Sequence, residues 1–130
     1  MTMVYRSERR QYGQKVTEII PWLDRAANSD ISGPRFSVII PTYNRDRFIG
    51  ESIRSALEQR YPAEEIIVVD DGSTDATRQV VHGIPSGSTI HYYYQKNQGV
   101  AGARNYGASL AKGNWRAFLD ADDVWRTDKL

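Results

Sequence analysis

The chain has 130 residues, which suits one domain with a modest hydrophobic core. Its 17 basic and 16 acidic residues nearly balance, so there is no electrostatic case for nucleic-acid binding. The absence of cysteine excludes disulfides and thiolate metal sites, and no apolar run approaches the roughly 18 residues that a membrane helix needs. We therefore expect a cytoplasmic chain without a membrane segment.

The first 35 residues predict an N-terminal extension that is distinct from the rest. Apolar residues recur at helical spacing from Val16 to Leu23, which predicts a short amphipathic helix that Pro21 interrupts. Asn28 to Pro34 is rich in turn formers and indicates a linker. We expect this extension to pack on the domain or on a neighbouring molecule.

Strand and helix signals alternate from residue 36 to residue 130. The predicted strands are Phe36–Ile40, ended by Pro41, and then Ile66–Val69, Ile90–Tyr94 and Trp115–Leu119. The predicted helices are one built on Ile49, Ile53 and Leu57 that stops before Pro62, one from Ser73 or Thr74 to about Gly83, and one over Val100–Ala111. The continuous apolar runs and the alternating order predict an α/β fold with a doubly wound, mostly parallel sheet.

A cluster of acids, Asp120, Asp122 and Asp123, follows the last predicted strand. Like charges at this spacing repel, so we expect a cation to hold them ionised together. Carboxylates suit Mg²⁺ or Mn²⁺, which share their ligand shell with substrate phosphates, and the lack of nearby His or Cys argues against zinc. The alternative is a strand-to-helix turn in which Asp122 or Asp123 caps the next helix.

A second acidic pair, Asp70 and Asp71, ends another apolar run. Successive side chains of a strand point to opposite faces, so only one of the two can face a given ligand. The other is expected to support the turn at Gly72 or to cap the next helix, for which Ser73 or Thr74 is also a candidate cap. Open α/β sheets bind ligands at the carboxyl edge of their strands, so the two acidic strand ends predict a polar ligand site there.

Two further segments belong to the same predicted edge. Pro41, Thr42, Tyr43 and Asn44 close the first strand, where a Tyr ring can stack on a base while Thr42 hydrogen-bonds it. Ordinary turn chemistry with a surface Tyr is the alternative reading of this segment.

The fourth segment combines small residues with an arginine. Residues 99–103 allow close backbone approach at a helix N-terminus, which favours anions, and Arg104 can clamp a phosphate with two parallel hydrogen bonds. The segment carries neither the G-x-G-x-x-G nor the Walker fingerprint. Tight helix–sheet packing beside an exposed arginine is the alternative.

Together, and in this order, the four segments resemble the nucleotide-sugar half of family 2 glycosyltransferases, which have the GT-A fold. The matching segments are SVIIPTYN at 37–44, IVVDDGSTD at 67–75, NQGVAGARN at 97–105 and FLDADD at 118–123. The resemblance covers residues 36–130 and leaves the first 35 unmatched. It divides the chain into an N-terminal extension, 1–35, and a nucleotide-sugar-binding part, 36–130.

The resemblance also carries roles to individual positions. Thr42 and Tyr43 would contact the base, usually uracil in enzymes that use UDP-sugars, Asp71 would hydrogen-bond the base, and Arg104 would lie near base and diphosphate. Asp120 and Asp122 would form the D-x-D motif, which touches the ribose and, through Mg²⁺ or Mn²⁺, the diphosphate. The implied substrate-binding residues are Pro41, Thr42, Tyr43, Asn44, Asp71, Gly99, Arg104 and Asp120, and the implied metal ligands are Asp120, Asp122 and Asp123.

The implied function is the UDP-sugar-binding portion of an inverting, metal-dependent glycosyltransferase of hexosyltransferase type. In this family the base that deprotonates the acceptor lies well beyond the D-x-D, so we expect it beyond Leu130 and expect this chain to be a donor half that is inactive in transfer. The acceptor would be a carbohydrate or a lipid-linked sugar, and self-association to a homo-oligomer is expected. One alternative is a non-catalytic nucleotide-binding partner or regulatory module. A phosphoacceptor or phosphatase-like domain is another, and it leaves Thr42, Tyr43, Asn44 and Arg104 unexplained.

Overall fold

A computed structural model describes residues 4–6 and 33–130. The strands in this part of the chain are β1 (Val4–Arg6), β2 (Phe36–Thr42), β3 (Glu65–Asp70), β4 (Ile90–Tyr94) and β5 (Trp115–Phe118). The helices are α1 (Ile49–Leu57), α2 (Thr77–His82) and α3 (Val100–Leu110). The predicted helix between Val16 and Leu23, and most of the predicted linker, lie outside the described residues.

The strands form one sheet in the order β1-β5-β2-β3-β4. β5, β2, β3 and β4 are parallel, and β1 pairs with β5 in the antiparallel sense. The prediction of a mostly parallel α/β sheet is confirmed. Because β2 lies between β5 and β3, the carboxyl ends of these three strands are neighbours at one edge of the sheet.

The two faces of the sheet have separate hydrophobic cores. Val38 and Ile40 of β2 pack with α1 and α2, whereas Ile39 packs with Ala103 of α3 on the other face. The same alternation holds in β3, and all of these side chains are fully buried. Burial of one such side chain contributes about 1.5–3 kcal/mol, which explains why the central positions of β2 and β3, buried on both faces of the sheet, are apolar.

Helix α3 approaches the sheet most closely at Gly107. A Cβ atom at this position would lie 2.5 Å from Cγ2 of Ile39, whereas a Cβ at Gly102 would meet only the Gln98 side chain, at 3.2 Å. The tightest glycine contact with the sheet thus lies beyond the small residues 99–103, whose predicted close approach to an anion stays a prediction. The contact fixes the distance between α3 and β2.

Strand β2 continues through Pro41, where the sequence predicts its end. The Ile39 carbonyl accepts a hydrogen bond from the Leu119 N–H, so Ile39 and Pro41 face β5. Strand β5 ends at Phe118, one residue before Leu119. Pro41 has no N–H to donate to β5, and it lies just past the last β2–β5 pair, Ile39 with Phe118, at the end of the ladder, where a proline is tolerated.

Helix α2 begins at Thr77 and not near Ser73 or Thr74 as predicted. The Ser73 hydroxyl accepts a hydrogen bond from the Asn44 N–H, and the Thr74 N–H donates to the Asn44 side chain. The N-cap residue is Ala76, which has no capping side chain, and the carboxylate of Asp75 just before it accepts the Thr77 N–H at 3.0 Å. Residues 73–75 thus tie two loops together instead of opening the helix.

No helix in residues 4–6 and 33–130 is long and apolar enough to span a membrane. The longest one, α3, has 11 residues.

Candidate functional site

A cavity of about 310 Å³ opens at the carboxyl edge of the sheet, beside the first turns of α3. It gathers residues from all four predicted segments. Its lining residues are Pro41, Thr42, Tyr43, Arg45, Asp71, Val100, Ala103, Arg104, Asp120, Ala121 and Asp122.

The cavity includes most of the predicted site residues but not all of them. Asn44, Gly99 and Asp123 are outside its lining. Four lining residues are not among those predicted from the sequence: Arg45, Val100, Ala103 and Ala121. Arg45 could have been found as a cation directly after the Tyr-Asn pair, whereas the three apolar residues carry no signal that separates them from core residues.

Asp71 organises the loop that precedes α3. Its buried carboxylate accepts hydrogen bonds from Gln95 Nε2 at 2.7 Å, from the Gln98 N–H at 2.8 Å and from the Gly99 N–H at 2.9 Å. Gly99 has φ 86°, which favours glycine. A carboxylate has about four acceptor positions, so Asp71 retains capacity for a ligand that donates a hydrogen bond.

Asp70 points away from the cavity, as the alternation of strand side chains requires. Its fully buried carboxylate accepts the Ser73 N–H at 2.8 Å and the Tyr92 hydroxyl at 2.5 Å. Burial, and then the hydrogen bond to Asp70, raise the pKa of Tyr92, which keeps its hydroxyl protonated and donating. Asp70 therefore supports the turn, and Asp71 is the acid of the pair that faces the cavity.

Asn44 connects two loops and does not line the cavity. Its backbone is left-handed, with φ 49°, and its side-chain oxygen accepts the N–H groups of Thr74 and Asp75 at 2.8 and 3.3 Å.

Asp75 belongs to the same pair of loops. Burial opposes ionisation of the Asp75 carboxyl, but hydrogen bonds from Thr77 and Asp46 outweigh the effect of burial and lower the pKa of Asp75. These contacts hold the loop after β2 in place.

Thr42 is among the residues that line the cavity. By strand alternation its side chain lies on the α1 face with Ile40, and its hydroxyl is buried with no partner among the described residues. Its carbonyl accepts the Asp71 N–H at 2.8 Å. The predicted bond from the Thr42 hydroxyl to a base stays a prediction.

Arg104 and Asp120 form an ion pair at the cavity, with 3.0 Å between Nη2 and Oδ1. Each side chain is about one-third exposed. Arg104 follows Ala103, which is fully buried against Ile39, so the packing of α3 directs the arginine to this edge. Arg45 is exposed, and its guanidinium contacts the Asn44 carbonyl at 3.2 Å. Two cations are thus available to an anionic ligand.

The acidic cluster does not form a three-carboxylate cage. No group of three His, Cys, Asp or Glu residues in the described part of the chain is arranged to hold a metal ion. Asp123 turns out of the cavity lining, and its N–H donates to the Asp120 carbonyl at 3.0 Å, so the expected convergence of all three carboxylates is not present. Asp120 and Asp122 still fit Mg²⁺ or Mn²⁺, because these ions often take one or two carboxylates and complete their shell with phosphates and water.

The sequence model of the family described as Glycosyl transferase family 2 matches residues 37–130. The chain belongs to glycosyltransferase family 2. It is 43% identical over 94 residues to the Escherichia coli UDP-Glc:alpha-D-GlcNAc-diphosphoundecaprenol beta-1,3-glucosyltransferase WfaP, which covers 72% of the chain. The chain spans 38% of the length of WfaP and 17% of that of an uncharacterized glycosyltransferase of Rickettsia conorii.

Solved structures of glycosyltransferases share the fold of this family 2 chain. TarS 1–349 of S. aureus in complex with UDP-GlcNAc superimposes with a TM-score of 0.67 at 36% identity, over 72% of this chain and 28% of that one. The mannosyltransferase PcManGT of Pyrobaculum calidifontis, in complex with GDP-Man and Mn²⁺, gives 0.66 at 34% identity, over 71% and 28%. The predicted GT-A α/β fold is confirmed.

Proposed function

We propose that this chain is the nucleotide-sugar-binding part of an inverting, metal-dependent hexosyltransferase, and that its donor is a UDP-sugar. The observation that carries the proposal is the cavity itself, which places Asp71, Arg104, Asp120 and Asp122 at one edge of the sheet beside Tyr43. Support comes from the similar proteins, since TarS was solved with UDP-GlcNAc and PcManGT with GDP-Man and Mn²⁺.

The base would lie between Tyr43 and the loop that Asp71 holds. Tyr43 is 46% exposed, so its ring is free to stack, and Asp71 has acceptor capacity for a base N–H. Pro41 and Val100 supply apolar walls. This arrangement would bind a nucleoside by stacking and by one charged acceptor.

The diphosphate would lie between the arginines and the D-x-D. Arg104 and Arg45 can neutralise phosphate oxygens, and Asp120 and Asp122 would hold Mg²⁺ or Mn²⁺ against them. When bound, the metal would stabilise the negative charge of the departing diphosphate. Asp120 would also bind the ribose, and Asp123 is the weaker candidate for the metal because it lies outside the cavity lining.

The test is a calorimetric screen of UDP, GDP, CMP and dTDP, each with Mn²⁺ and with excess chelator. We expect UDP to bind, and to bind more tightly with Mn²⁺. Asp120→Asn should reduce that binding, whereas Asp128→Asn should leave it unchanged, because Asp128 lies outside the cavity. Preference for GDP would overturn the assignment of the donor, and absence of nucleotide binding would overturn the proposed function.

A further inference from the structure

Helix α1 carries a buried stripe of polar side chains that nucleotide binding does not explain. Ser52, Ser55 and Gln59 are spaced three and four residues apart, so they share one face of the helix and its C-terminal extension. They are 0%, 7% and 6% exposed. Buried polar groups are unfavourable unless they are hydrogen-bonded, so their partners indicate why they are here.

Besides carbonyls of the same helix, the partners are main-chain groups of residues 121–130. Ser55 Oγ accepts the Trp125 N–H at 3.1 Å. Gln59 Nε2 donates to the Arg126 carbonyl at 2.6 Å, and its Oε1 accepts the N–H groups of Lys129 and Leu130 at 3.0 Å each. The stripe therefore anchors the segment that follows the D-x-D motif along α1.

Ser52 makes the contacts that lie at the motif itself. Its hydroxyl lies 2.8 Å from the Ala121 carbonyl and 2.5 Å from the Asp123 carbonyl, the two peptide oxygens that flank Asp122 in sequence. The usual alternative for a helical serine is the carbonyl four residues earlier, and here Phe48 O is 3.5 Å away, at the limit of a hydrogen bond. The hydroxyl is thus committed to the acidic loop.

Asp122 depends on these contacts for its position. Its side chain is exposed and receives no hydrogen bond from any residue in the described ranges, so nothing at the carboxylate itself fixes it. The backbone on both sides is held instead by one buried hydroxyl on α1, whose single proton is shared between the two carbonyls.

We propose that Ser52 is a positioning residue that sets the main chain on both sides of Asp122 and thereby the ability of Asp122 to bind a divalent cation together with the nucleotide diphosphate. This inference rests on the proposed function, because it needs a metal-dependent nucleotide site. It adds a residue of α1, outside the cavity lining, to the determinants of that site.

The experiment measures UDP affinity with Mn²⁺ and with excess chelator, and compares the ratio of the two affinities between variants. Ser52→Ala should lower this ratio about threefold to tenfold, the effect of one buried hydrogen bond, and should leave the affinity in chelator within about twofold of wild type. Ser55→Ala is the matched control, since it removes a buried hydroxyl from the same helix but contacts Trp125 and not the neighbours of Asp122. It should lower the melting temperature comparably and leave the ratio unchanged.

The outcomes separate this inference from the proposed function. If wild type binds UDP equally well with Mn²⁺ and with chelator, the proposed metal role is wrong, and the inference about Ser52 is wrong with it. If UDP binding by wild type depends on Mn²⁺ but Ser52→Ala leaves the affinity ratio unchanged, the inference is overturned and the proposed function stands. The same holds if Ser55→Ala lowers the ratio as much as Ser52→Ala does, or if Ser52→Ala weakens UDP binding equally with Mn²⁺ and with chelator.

If Ser52→Ala does not fold, Ser52→Cys tests the same point, because it fills the site with a somewhat larger group that is a weak donor. The natural sequence has no other cysteine, so no internal disulfide can form. A lowered ratio in this variant supports the inference, and a wild-type ratio overturns it.

Discussion

Arg104 and Asp120 face each other across the cavity, one from α3 and the other from the end of β5, at 3.0 Å. The proposed function assigns Arg104 to the diphosphate and Asp120 to the metal, and in the structure these two side chains are paired with each other. The ion pair holds the Asp120 carboxylate beside Arg104 at the cavity, and under the proposed function it would have to rearrange when metal and diphosphate bind.

The first prediction follows from this pairing. Arg104→Gln should have effects of opposite sign on two ligands. Without nucleotide, Mn²⁺ should bind up to about fivefold more tightly, because an exposed ion pair contributes roughly 0.2–1 kcal/mol and no longer competes for Asp120. UDP should bind about tenfold or more weakly, because a charged hydrogen bond to phosphate is lost.

Calorimetric titration of Mn²⁺ and of UDP checks both signs. Arg126→Gln is the control, since its partner Asp128 lies outside the cavity. A fall in both affinities would mean that Arg104 supports the local fold and does not compete with the metal.

The second prediction separates the acids of the D-x-D segment. Asp122→Asn should weaken the Mn²⁺-dependent binding of UDP about tenfold, because a charged ligand of the cation becomes a neutral one. Asp123→Asn should change it by less than about twofold, because Asp123 is exposed and outside the cavity lining. Titrations with and without chelator measure both, and a larger effect of Asp123 would assign the metal to that residue.

The third prediction compares the neighbours Asp70 and Asp71. Asp71→Ala should reduce the affinity for uridine far more than that for pyrophosphate, because the base acceptor and the Gln98–Gly99 loop are lost together. Asp70→Ala should instead destabilise the fold by about 1–3 kcal/mol, since it leaves buried donors unpaired. Ligand titration and urea unfolding measure the two effects, and exchanged phenotypes would contradict the facing of these side chains.

The fourth prediction concerns acid stability. The pKa of Asp75 is lowered in the folded state, so its ionised form stabilises the fold above the usual carboxyl range, and this contribution disappears as pH falls through the lowered native pKa. Asp75→Asn should therefore unfold more easily than wild type at pH 7, by about 1 kcal/mol, with a smaller difference below the native pKa. Urea unfolding across pH measures this, with Asp128→Asn as the exposed control; a constant difference would refute the linkage.

The fifth prediction is that the 130-residue chain transfers no sugar. The carboxylates in the cavity lining are Asp71, Asp120 and Asp122, and each is assigned to base, ribose or metal, which leaves none of them to deprotonate an acceptor. Incubation with labelled UDP-glucose, UDP-galactose or UDP-N-acetylglucosamine, Mn²⁺ and a broad acceptor panel tests this. Glycoside formation would show that one of these assignments is wrong, whereas slow hydrolysis of the donor is compatible with them.

Much of the fold could be predicted because its signals are local. Strand β4 begins and ends where the sequence predicts it, and α1 runs from Ile49 to Leu57 as its apolar spacing indicates. The cavity could be anticipated as well, because parallel strands that end in polar residues bring those residues to one edge.

The features that escaped prediction depend on contacts between distant segments. Helix α2 begins later than predicted because Asn44, about 30 residues earlier, accepts hydrogen bonds from the N–H groups of Thr74 and Asp75. Ser52 looks like an ordinary helical serine until the acidic loop, about 70 residues later, is placed against it. Strand β1 has three residues and becomes a strand only through its partner β5.

The pairing of β1 with β5 limits how far the chain can be shortened from its N-terminus. The sequence divides the chain into an extension, 1–35, and a nucleotide-binding part, 36–130. A shortened chain that begins at Phe36 would contain all of the second part. It would, however, expose the outer side of β5, the strand that leads directly into Asp120, and turn an interior strand into an edge strand. Residues 4–6 thus stabilise the strand that leads into the acidic motif, and removing them should weaken the structure around Asp120.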